Sequence, residues 1–207
     1  MKTTIKLTLL FVFISGCASV IPMQSSLSDQ TMLMAVNKNL QANYSLSSDI
    51  SNGKITTVNV QRNGTERSDQ MHEYASETAF NNIWSSYFSN KYNNFSRETL
   101  NISVNLNNLY LKNTAATSIG SSLLTGNTQY NVEAIASVYV EVEYKGEVFS
   151  NEFEVSASDY QETQQTNYGT RSNTNPMQQR AQLLEAVLNR SVVQFDNFVT
   201  SILTLED

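Results

Sequence analysis

The chain has 207 residues, a formal charge of −6 and only 15% charged residues, which suits one ordinary domain with a real core. An acidic chain without a Lys/Arg cluster is repelled by phosphate backbones, which argues against nucleic acid as a partner. A single cysteine, Cys17, and a single histidine, His72, rule out a disulfide framework, a Cys/His metal cluster and a repeated HxH site.

The first element is the leader. Lys2 and Lys6 supply a positive start, Leu7 to Phe13 a short apolar core, and Ser15-Gly16 small residues before the cysteine, the three parts of an export signal. That core is far short of the roughly 20 apolar residues of a membrane-spanning helix, and no later stretch comes near that length. Ile14-Ser15-Gly16-Cys17 resembles the lipobox of bacterial lipoproteins. The resemblance implies cleavage between Gly16 and Cys17, thioether diacylation of Cys17 and usually a third acyl chain on the new amine. Two chains are enough for stable anchoring. The plainer alternative is an ordinary secretory peptide cut nearby, with Cys17 a bystander thiol; charge, core and small residues converging on the one cysteine favour the lipid. Ala18 stands where Asp is the usual inner-membrane retention signal, so the resemblance also implies the outer membrane, on its periplasmic face. Loss of residues 1–16 removes two lysines and no acid, leaving 191 residues and moving the formal charge from −6 to −8.

Residues 17–30 are polar with Pro22 and read as a lipidated tether, followed by one domain over 31–207. Leu33, Val36 and Leu40 have the spacing of one helical face. Lys54 to Gln61 alternates like a short edge strand closed by Asn63-Gly64. From about Asp69 to Phe88 a helix is expected, with Phe80, Ile83, Trp84, Tyr87 and Phe88 on one stripe, which helical spacing makes core packing sooner than a ligand box. Leu100, Ile102, Val104 and Leu106 then alternate with polar residues, and Leu109 and Leu111 resume on the other parity, so a β-bulge is predicted at Asn107-Asn108. Ile119, Leu123 and Leu124 interrupt a small, polar stretch and form a candidate contact patch.

Tyr130, Val132, Ala134, Ala136, Val138, Val140, Val142 and Tyr144 fall on every second position, with Glu133, Ser137, Glu141 and Glu143 opposite them. Lys145-Gly146 turns the chain into a return strand carrying Phe149, Phe153, Val155 and Ala157 on one face, which makes a long hairpin. Asp159 to Asn175 reads as a polar loop, and Asn175-Pro176 opens a helix to Leu203 whose stripe includes Leu184, Val187, Leu188, Phe195 and Val199, with Arg180 off it.

Candidate chemistry is sparse. His72 would have to serve any Ser-His-Asp triad, and His72-Glu73 lacks the second histidine of a zinc helix because Ser76 stands there. Ser51-Asn52-Gly53-Lys54 has the Ser-x-x-Lys spacing of penicillin-binding enzymes, but it reads as a turn and no Lys-Thr-Gly element accompanies it. Glu133, Glu141 and Glu143 could form an acid/base or calcium-binding row, although any solvated sheet face looks the same and no calcium loop is present. Phosphate loops are absent, so no cofactor is expected.

The lipobox, a helix before a strand ending Leu109-Tyr110, Gln129-Tyr130-Asn131 opening a long strand, a turn at Gly146, a return strand and a terminal amphipathic helix together resemble small outer-membrane lipoproteins of the YajG type. That resemblance implies an α/β sandwich without catalytic residues. The expectation is an α+β domain with a mainly antiparallel sheet, a long C-terminal β-hairpin and two amphipathic helices covering one face. Its function is expected to be non-catalytic: an envelope lipoprotein, held in the membrane by acyl chains on Cys17, that binds a protein or lipid partner as an accessory to transport or surface assembly. The alternative is a lipid-anchored periplasmic hydrolase using Ser51 or the Glu133/Glu141/Glu143 face.

Overall fold

The computed structural model describes residues 20–32, 40–61, 63–92, 98–116, 127–165 and 176–204. In chain order these form α1 (Asp29–Met32), β1 (Leu40–Ser48), β2 (Gly53–Val60), β3 (Glu66–Tyr74), α2 (Ser76–Lys91), β4 (Glu98–Ala115), β5 (Asn127–Tyr144), β6 (Glu147–Gln165) and α3 (Pro176–Thr204). The fold is α+β. Six strands make one sheet ordered β3-β2-β4-β5-β6, with β1 also paired to β4, and α2 and α3 cover one face.

The bulge lies where the leucines require it. Leu106 and Leu109 both face the core although they are three residues apart, so one extra residue must be absorbed between them. The β4–β5 register shifts between Leu106 and Asn108. This shift also divides one edge of β4 between two partners. β1 pairs in parallel with Glu98 to Leu106, and β2 pairs in parallel with Tyr110 to Thr114. The two strands thus run in tandem, joined by a turn whose Asp49 N–H donates to the Leu106 carbonyl at 3.0 Å.

β5 and β6 pair antiparallel around Lys145 (φ 50°) and Gly146 (φ 86°). Two successive left-handed residues make the two-residue turn whose twist matches the flanking strands. The inward residues of β5, from Val132 to Val142, are fully buried.

The helix layer is aromatic. Trp84 packs against Phe195 of α3 at 5.2 Å between ring centroids and against Phe80 and Phe88 at 5.9 Å each. Tyr87 Oη donates to Asp196 Oδ1 at 2.6 Å, and Lys91 Nζ reaches the same oxygen at 2.8 Å, so one carboxylate ties α2 to α3. Burial, then the neighbouring Tyr92 and Asp196, push the Tyr87 phenol far above its ordinary range, which keeps it a donor. Among the described residues no helix is long and apolar enough to cross a membrane.

Several expectations need correction. Leu40 opens β1, and the only helix before it among the described residues is the single turn Asp29–Met32; residues 33–39 lie outside the described residues. β2 is an interior strand, because Glu66–Tyr74 folds back on it as β3, and α2 therefore begins at Ser76 instead of Asp69. β3 is polar along most of its length, so no alternation announced it. Of the stretch 159–175 expected as a loop, the first part continues β6 as far as Gln165; residues 166–175 lie outside the described residues. Arg180, placed off the stripe of α3, is buried.

Residues from Ile21 onward, expected as tether, pack against the domain. Ile21 joins the edge of β3: its N–H donates to the Glu73 carbonyl at 2.7 Å, and the Ile21 carbonyl accepts from Ala75 N–H at 3.1 Å. Met23 and Leu27 then enter the core. The segment crosses the helix layer as a strap. Asn82 Nδ2 donates to Ser25 Oγ at 2.9 Å, and Asn189 Oδ1 of α3 accepts from Ser28 N–H at 2.8 Å. Beside it Glu185 is half-buried; desolvation pushes its carboxyl up to about 7, against a hydrogen bond from the Gln24 backbone. A carboxyl whose folded value is raised contributes stability that is fully present below its unfolded value and is lost as pH rises through about 7. The melting temperature is therefore expected to fall as pH rises from about 4.5 to about 7, and Glu185→Gln to flatten that slope; an unchanged slope in the variant would assign the titration elsewhere.

Candidate functional site

Both long helices lie on one side, so among the described residues the second face of the sheet is bare. Alternation puts Asn101, Ser103 and Asn105 of β4 on that face before the bulge, and Asn108, Tyr110 and Lys112 after it. At the bulge a run of hydrogen bonds crosses four strands. Ser47 Oγ donates to Asn105 Oδ1 at 2.8 Å. Asn105 Nδ2 donates to Asp49 Oδ2 at 3.2 Å and to Asn107 Oδ1 at 2.7 Å. Asn107 Nδ2 and Ser137 Oγ both donate to Glu152 Oε1, at 3.0 and 2.6 Å. These two donors, Ser137 first, hold the Glu152 carboxyl below its usual range.

Between β2 and β4 lies a groove of about 300 Å³ lined by Thr56, Val58, Glu66, Asn108, Tyr110 and Lys112. Its floor continues onto β5, because Tyr110 is paired with Ile135. Ile135 points to this bare face and lies outside the core cluster, yet it is only 7% exposed. Val58, Tyr110 and Ile135 thus form an apolar centre. Burial, followed by the carboxylates of Glu154, Glu133 and Glu66, raises the Tyr110 phenol, which stays a protonated donor at neutral pH. On this face Glu66, Glu133, Glu141, Glu143, Glu152 and Glu154 outnumber Lys54 and Lys112. An aromatic anchor inside a polar rim is the anatomy of a docking surface.

The residues singled out from sequence fall apart as a site. Cys17 and the patch Ile119, Leu123 and Leu124 lie outside the described residues. Ser51 is exposed in the turn between β1 and β2. Its neighbour Asn52 serves the fold: Asn52 Oδ1 accepts from Thr78 N–H at 3.0 Å, supplying the helix cap that Ala75 lacks. His72 sits on β3 opposite Ile55, not at a helix start. Glu133 pairs with Lys112, eight residues and about 27 Å along β5 from Glu141, so the glutamates are no single cluster. Glu143 Oε2 accepts from Asn101 Nδ2 at 3.1 Å. Among the described residues no group of three His, Cys, Asp or Glu side chains could hold a metal ion.

Sequence reasoning passed over Tyr110, Ile135 and Glu152. The bulge was the available signal, because the parity change that returns Leu109 and Leu111 to the core also turns Tyr110 outward.

No family model matches the chain, and no curated protein matches it. Its structure is similar to the crystal structure of a Xanthomonas campestris protein of the DUF330 family, 11% identical, with a TM-score of 0.49 over 91% of this chain and 100% of that one. A second crystal structure, of an uncharacterized protein, is 10% identical with a TM-score of 0.39, covering 84% of this chain and 97% of the other. Neither likeness carries an activity or a partner to this chain.

Proposed function

We propose that this chain is a non-catalytic, lipid-anchored envelope protein that docks a cationic protein partner on its bare sheet face. The observation that carries the docking is the groove around Tyr110, continued by Ile135 on the paired strand and set among the carboxylates of Glu154, Glu133 and Glu66. Such a rim favours Lys/Arg on the partner and disfavours anionic ones. The lipid-carrier version has less support, because the space between helices and sheet is taken by Phe80, Trp84, Phe88 and Phe195, all buried against one another. The anchor and the outer-membrane location rest on the leader, the lipobox and Ala18, and the YajG-type affinity on the lipobox with the strand, turn and helix pattern from Leu109-Tyr110 to the terminal helix. The hydrolase alternative gains nothing from Ser51, exposed beside a helix-capping asparagine, or from glutamates spread along a strand.

A photoreactive residue at position 110 tests the proposal in cells, with position 182 on the exposed side of α3 as the control. One dominant protein adduct is expected from 110 and none from 182, and Glu133→Lys with Glu154→Lys should remove it. Equal crosslinking from both positions, or purified protein that carries lipid and no adduct, would sink the docking reading.

A further inference from the structure

The structure limits how far an anchored domain could stand from its membrane. Ile21 is held to the edge of β3 by two backbone hydrogen bonds and an isolated parallel bridge to Tyr74. Downstream of it Met23 and Leu27 are buried and the strap is hydrogen-bonded to both long helices. Ile21 cannot be peeled away without opening the core. Cys17 lies four residues before it. At no more than about 3.6 Å per residue, four residues reach roughly 14 Å, less than half the thickness of a bilayer.

We infer that acyl chains on Cys17 hold the domain upright on its β3 corner, with the lipid headgroup surface as the partner of that corner. The inference rests on the proposed lipid anchor and adds to it an orientation. The corner comprises Val20, the end of β3 and the turn at Ser51-Asn52, which leads into Gly53, the strand partner of Tyr74. The far corner is the β5–β6 turn with the exposed Val148. From Ile21 across β3, β2, β4 and β5 to β6 there are five strand spacings, about 24 Å. Val148 pairs with Glu143, level with Asn101, several residues further along the strands, so the two corners are some 30 Å apart.

A tether of this length still allows the domain to lie flat, but neither broad face favours that. The bare sheet face carries mostly carboxylates, which anionic lipid repels. The exposed positions of α2 and α3 are chiefly amides and hydroxyls, such as Asn82, Gln182, Gln194 and Thr200, without the apolar and basic stripe of a membrane-lying helix. A partner seated on the bare face is then itself beside the membrane.

The test uses the full acylated chain in vesicles of phosphatidylcholine and phosphatidylglycerol with headgroup spin labels. With Cys17 acylated, Ser51→Cys or Val148→Cys supplies the one free thiol for a fluorophore. The label at 51 should be quenched several-fold more than the label at 148. Twenty Gly/Ser residues inserted between Ser19 and Val20, which add roughly 25 Å of reach, should bring the two close together. Equal quenching of the two labels in protein that floats with the vesicles overturns the orientation and leaves the anchor standing. Strong quenching at 51 that survives the insertion also overturns it, because the tether is then not its cause. Protein that fails to float overturns the anchor itself, and the orientation with it.

Discussion

Trp84→Ala will lower the unfolding free energy by about 4 kcal/mol, since removing a fully buried aromatic side chain typically costs 3–5 kcal/mol. Trp84 is 0% exposed and touches four rings, on Phe80, Tyr87, Phe88 and Phe195. Those rings come from both long helices, so the cavity cannot close by moving one side chain. Against a total stability of about 5–15 kcal/mol, the variant stands near the threshold of folding. Trp84→Phe separates volume from polarity. The indole Nε1 is buried and has no hydrogen-bond partner among the described residues, a cost of about 1–3 kcal/mol that phenylalanine removes. That gain offsets much of the lost packing, so Trp84→Phe should cost far less than Trp84→Ala. Denaturant midpoints followed by circular dichroism decide it, and two variants of equal stability would show that the interior there is loosely packed.

Cys17→Ala should abolish acyl labelling and membrane retention together. A single acyl chain holds a protein only marginally and two hold it stably, so the variant, which carries none, should leave the membrane fraction entirely. The leader does not compensate if it stays uncleaved, because Leu7 to Phe13 is too short to span. The folded part should be unaffected, since the first buried residue among those described is Met23; a melting temperature equal to that of the parent checks this. A variant that kept its label or stayed with membranes would remove the basis for the lipid anchor, and with it the orientation on the β3 corner.

Legibility in the sequence followed the locality of the signal. β5 announced itself because each residue's direction depends only on its neighbours, and the Leu106 to Leu109 phase change revealed the bulge for the same reason. β3 did not, because Glu66 to Tyr74 is polar along most of its length and becomes a strand only by pairing with β2 across Asn63-Gly64. β1 was hidden by a coincidence of spacing: Leu40 completed an apparent helical face with Leu33 and Val36, although Leu40, Ala42, Tyr44 and Leu46 also alternate. The site shows the same divide. Tyr110's outward direction could be read from the parity change, whereas Glu152 meets Asn107 across 45 residues and Ser137 across 15, distances no local pattern encodes. Arg180 was misplaced for a related reason, since the breadth of the buried face of α3 is set by the sheet beneath it.

The long edge of β6 has a bearing on crowding. Acyl anchors confine their proteins to two dimensions, where a 19-residue strand without a neighbour on its outer side among the described residues is an invitation to chain-to-chain pairing. Here the strand carries its own deterrents. Arg190 of α3 already binds the Ser156 carbonyl, an irregularity in register near Glu133 bends the strand, and Glu152 and Glu154 would face each other's copies in an antiparallel contact centred between them. The acidity of the proposed docking face would thus also keep neighbouring anchored copies from zipping into a lateral lattice.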